Sequence, residues 1–67
     1  MSHDKLIRMA NQIATFFRSQ PGSDQVEKVA AHLKDYWAPE MRADLKAQAA
    51  DHAQEMDDLV RRALPLI

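Results

Sequence analysis

Three histidines, at positions 3, 32 and 52, and a scatter of carboxylates are the side chains here whose types suit catalysis or metal binding. Their spacing supplies neither. No HExxH pattern occurs, and a single glycine rules out a Gly-rich phosphate loop. His52 follows Asp51, two donors that would need a further partner to complete a metal shell. Glu40 and Asp44 stand one helical turn apart and could flank a cation, but without a pocket they read as a solvated face. Cysteine is absent, which removes thiolate ligands, a thiol nucleophile and any disulfide framework. A chain of 67 residues also has little room for a concave site of roughly 300 Å³ or more. An autonomous enzyme is therefore not expected.

Nucleic-acid binding fares little better. Nine Lys and Arg against ten Asp and Glu give a net charge of −1, whereas a general binder must neutralise several phosphates. A helix-turn-helix reader would use Arg42, Lys46 and Gln48, with Glu40 and Asp44 set badly against the backbone. The charge is unevenly spread. Residues 51–58 hold Asp51, Glu55, Asp57 and Asp58 with no Lys or Arg, a solvated loop and helix N-terminus or else a docking surface. The first helix is basic overall. No apolar run approaches a membrane span, and the N-terminal stretch has no uninterrupted apolar core or cleavage signature. A cytoplasmic protein is the default.

The elements come from periodicity. In residues 6–17, LIRMANQIATFF, the apolar side chains sweep an arc of about 180°, wider than the stripe of about 100° that one helical neighbour needs. Such a helix is meant to be covered from more than one side, and the second cover can be another molecule. Asn11 and Gln12 lie on its polar half, for solubility or for a partner's backbone. Ser2 or Asp4 would cap it, Asp4 would pair with Arg8, and Pro21-Gly22 would end it. Ser23 or Asp24 restarts a helix whose buried face is Val26, Val29, Ala30, Leu33, Tyr36 and Trp37, with His32 among its polar positions. Pro39 forces Ala38 out of the α region and opens a third helix. Trp37 thus sits at a corner, as core packing or as a partner hot spot. The third helix has a thin stripe of Met41, Leu45 and Ala49, with Ala43, Ala47 and Ala50 elsewhere. Residues 51–54 form a plausible joint, although no Gly or Pro marks it and the last two helices could be continuous. Met56, Leu59, Val60, Ala63 and Leu64 pattern a fourth helix, with Asp57-Arg61 and Asp58-Arg62 as outer i,i+4 pairs. Leu66 and Ile67 follow Pro65 as exposed apolar residues unless they fold back.

These landmarks also carry a resemblance. LxRMANQIAxFFxxQP at residues 6–21, AxHLxxYWxPxMR at 30–42 and LVxxALP at 59–65 resemble the delta subunit of the soluble, molybdenum-containing, NAD-dependent formate dehydrogenases. The first two blocks are the most specific, and His32, Tyr36 and Pro39 belong to the second. The chain departs from that pattern at the joint, where relatives often carry a Gly, and at Asp58, where they often carry a Pro.

The resemblance implies a small accessory subunit with no catalytic residue and no cofactor or metal of its own. Its host would oxidise formate to carbon dioxide and reduce NAD. The large subunit would carry a molybdenum bis(guanine dinucleotide) cofactor and iron–sulfur clusters, and smaller subunits FMN and further clusters. Partner contact is then expected at Asn11, Gln12, Phe16, Phe17, Trp37, Met41 and Arg42. The expected fold is all-α: one domain over residues 1–67, a small bundle of three to four short helices at about 3–19, 24–37, 39–50 and 55–64. The rival is a self-associating helical domain, a homodimer when isolated, or a helix-turn-helix-like regulatory module.

Overall fold

The computed structural model describes residues 3–67, with side chains from Lys5 onward. It contains α1 (His3–Arg18), α2 (Gln25–Tyr36), α3 (Pro39–His52) and α4 (Asp58–Ala63). Short 3₁₀ turns follow α3 (Ala53–Glu55) and α4 (Leu64–Leu66), and no strand occurs among the described residues. The side chains behind the capping of α1 by Ser2 or Asp4, and behind the Asp4–Arg8 pair, lie outside the described residues.

The turns follow from local chemistry. After α1, Ser19 Oγ donates to the Phe16 carbonyl at 2.7 Å, and the chain reverses at Gly22, whose φ of +118° disfavours any side chain. Gln25 Nε2 then donates to the Gly22 carbonyl at 2.7 Å and fixes the turn to the start of α2. Asp24 precedes α2 without capping it, and its carboxylate pairs with Lys28 at 3.6 Å. Ala38 is extended, Pro39 opens α3, and Trp37 closes the corner at 6% exposure.

The joint settles whether the last two helices run on. α3 continues to His52, a 3₁₀ turn follows, and Met56 is extended with φ −93° and ψ 139°. α4 therefore starts at Asp58, later than periodicity placed it, because Met56 packs into the core from the joint itself. His52 Nδ1 lies 2.8 Å from Glu55 Oε2, tying the end of α3 to the turn.

One apolar core joins all four helices. α1 supplies Leu6, Ile7, Ala10 and Ala14, and α2 supplies Val29, Ala30 and Leu33. Leu45 is the single fully enclosed side chain of α3, and Met56, Leu59, Val60, Ala63 and Leu64 complete the set. α4 packs chiefly on α2, and α1 touches α2, α3 and α4. Ile67 folds back against this core while Leu66 stays exposed.

Two readings of side chains are corrected here. Tyr36 does not join the buried face of α2 but is 77% exposed, because Val29, Ala30 and Leu33 define that face and Trp37 closes it. Asp57 does not sit outside α4 paired with Arg61 along the helix. It turns inward across the molecule to Arg18.

Candidate docking face

The broad apolar arc of α1 has two edges with opposite fates. Between them Leu6, Ile7, Ala10 and Ala14 are buried by the chain's own helices, so much of the arc's width is answered within the molecule.

The first edge carries Asn11 and Arg18 and is polar. Asn11 Nδ2 donates to the Glu55 carbonyl at 2.9 Å, and its Oδ1 accepts from the Asp57 amide at 2.8 Å. Both ends of this one side chain hold α1 to the joint 44 and 46 positions away. Arg18 makes a two-pronged pair with Asp57, one prong being Nη1 to Oδ2 at 2.6 Å. Asp57 Oδ1 also accepts from the Leu59 amide at 2.9 Å and so caps α4. The hydrogen bonds from Arg18 hold the Asp57 carboxyl below its ordinary range; the Leu59 amide and the charges of Arg18 and Arg61 add to this, and partial burial opposes it. The same hydrogen bonding raises Arg18.

The second edge is apolar and left uncovered. Met9, Gln12, Ile13, Phe16 and Phe17 on α1, with His32 and Trp37, line an open groove of about 490 Å³. This exceeds the room for concavity that chain length had led us to expect. Its walls are α1 on one side and, on the other, His32 of α2 with the Trp37 corner. An aromatic row crosses its rim. Phe16 and Phe17 meet edge to face at 5.1 Å, as do Phe17 and His32 at 6.0 Å, while the His32 and Tyr36 rings lie tilted at 4.7 Å. Phe16 is 59% exposed, so with Tyr36 both ends of the row face solvent.

The structure brings Gln12, Phe16, Phe17 and Trp37 together at this groove and sends Asn11 to the opposite edge. Met41 and Arg42 begin α3 just past Trp37, half-buried and outside the groove lining. Arg42 Nε is shut off from solvent with no acceptor among the described residues. Met9, Ile13 and His32 were not among the expected contact residues, nor was Tyr36 at the end of the row. His32 and Tyr36 are one turn apart, and that spacing is the signal that places them on one face. Among the described residues no group of His, Asp and Glu side chains is arranged to hold a metal ion. No helix among them is long and apolar enough to cross a membrane.

A protein-family profile described as the NADH-dependent formate dehydrogenase delta subunit, FdsD, matches residues 5–64. The chain belongs to that family. The match takes in both edges of α1, the Trp37 corner, the joint and α4. Membership in the delta-subunit family associates the chain with a formate dehydrogenase complex. No curated protein and no solved structure matched it.

Proposed function

We propose that this chain is a non-catalytic accessory subunit that binds the large subunits of a cytoplasmic NAD-dependent formate dehydrogenase and stabilises or helps mature the complex. The groove between α1 and α2, with Phe16 exposed at its rim, carries this reading. A small domain that leaves a large aromatic ring in water beside an apolar trough gains from a host what its own core cannot give it. Phe16, Phe17, Gln12 and Trp37 form the contact, with Met41 and Arg42 extending it past the corner. Asn11 contributes by holding α1 in place. Molybdenum, iron–sulfur and flavin groups belong to the other subunits, so oxidation of formate and reduction of NAD proceed there.

The test is recovery of the tagged chain from its native cell extract, followed by formate-dependent NAD reduction on the eluate. Co-recovery of large metal-containing subunits with activity is the expected result. Recovery of the chain alone, running as a dimer, would turn the groove onto its own symmetry axis and overturn the proposal.

A further inference from the structure

Asn11 and Arg18 stand two turns apart on α1, on one stripe of the helix and about 10 Å apart along its axis. Both are tied to the same short stretch of chain. Asn11 holds the Glu55 carbonyl and the Asp57 amide, and Arg18 holds both oxygens of the Asp57 carboxylate. One of those oxygens also accepts the Leu59 amide, so the anchor is itself fixed to the start of α4. Apolar packing alone grips this half of α1 weakly. Of residues 11–18 only Ala14 is fully buried, and an alanine offers its neighbours few atoms to hold; Ile13 and Phe17 lean on the core without entering it. The groove wall of Ile13, Phe16 and Phe17 lies in that same half. Ile13 and Phe16 stand roughly 150° around the helix from the Asn11–Arg18 stripe.

We infer that this clasp positions the docking face: Asp57, through Arg18 and Asn11, fixes the rotation of α1 and so sets where Ile13 and Phe16 stand against His32 and Trp37. This rests on the accessory-subunit reading and adds what readies the face for its host. Two anchors on one stripe resist a roll of the helix, whereas one anchor would act as a pivot. With the clasp cut, Leu6, Ile7 and Ala10 still keep α1 in the core, but its second half samples several orientations, of which a fraction present the groove. The host binds only that competent fraction, and apparent affinity falls in proportion. None of Asn11, Arg18 and Asp57 lines the groove, so each acts by position rather than by contact.

The experiment measures association and dissociation rates of the full chain with the host complex produced without it, for the unsubstituted chain, Arg18→Met, Asp57→Asn and both together. Asparagine still caps a helix and leaves the backbone amide to Asn11, so only the Arg18 bonds are lost, and circular dichroism verifies the fold. Association about threefold to tenfold slower is expected, with dissociation unchanged, because the host holds α1 once bound. The double variant should be no slower than either single, as for two residues that act through one contact. Arg18→Lys, which keeps one charged bond to Asp57, should recover part of the rate. Trp37, the only tryptophan, should emit at longer wavelength in the free variants as α1 rolls from the groove it lines. Equal rates for all chains, or an unmoved emission, overturn the inference and leave the accessory subunit standing. Faster dissociation of Arg18→Met, with Asp57→Asn unaffected, makes Arg18 a host contact and also overturns it. Failure of the unsubstituted chain to bind the host removes the accessory reading itself.

Discussion

Asn11 and Asp57 show how much of this fold rests on two polar side chains. Asn11 satisfies a carbonyl and an amide of the joint, groups that no regular helix provides for there. Asn11→Ala leaves both unpaired, and a loss of about 1–3 kcal/mol in urea or thermal unfolding is expected. Asn11→Asp keeps the acceptor for the Asp57 amide but loses the donor to Glu55 and brings a carboxylate near Asp57, so it should not rescue. Asp57 adds a pH dependence whose sign is fixed by its lowered folded value. Its contribution is fully present above the ordinary carboxylate value of about 4 and is lost as pH falls through the lower folded value. Melting temperature should therefore fall on acidification through that window, and Asp57→Asn should flatten the dependence.

The helices and turns differ in how openly the sequence declares them. Pro21-Gly22 and Ala38-Pro39 announce their corners, and the buried face of α2 reads directly from Val29 and Leu33. Trp37→Ala should cost about 3–5 kcal/mol in thermal unfolding, since the ring is almost wholly enclosed at the corner between α2 and α3. Gly22→Ala should cost about 1 kcal/mol or more, because the left-handed φ rejects a Cβ and that atom would lie 3.1 Å from Asp24 Oδ1. The joint was less legible. No Gly or Pro marks it, and Met56 is pulled from the helical pattern by the core it fills. The Arg18–Asp57 pair was invisible for a related reason. Local spacing offered Asp57 a partner four residues on, and the fold supplied a better one 39 positions away. Of the groove and its aromatic rim, Phe16, Phe17 and Trp37 were legible as large apolar side chains. His32 and Tyr36 were not joined to them, because their place depends on how α2 crosses α1.

For the molecule as a whole, the proposed function divides stability and association between the two edges of α1. Phe16→Ala should leave the unfolding midpoint within about 0.5 kcal/mol of the parent, as exposed substitutions do. It should nonetheless reduce recovery of the large subunits in the pull-down. Phe17 is a poorer probe, since it packs partly on the core and its loss would disturb both properties. A marked loss of stability in Phe16→Ala would move the ring from docking to folding and with it the proposed face.

The Asp57 amide has one more consequence. It lies between a 3₁₀ turn and the first turn of α4, and its acceptor belongs to a side chain of α1. Its proton can exchange with solvent only after the Asn11 carboxamide releases it, so a single backbone resonance reports how firmly the first helix is held to the last. Hydrogen exchange at this amide should slow when the large subunit clamps α1, while amides in the middle of α2 report global unfolding. Comparing the two would separate a host that merely holds the finished domain from one that completes its closure.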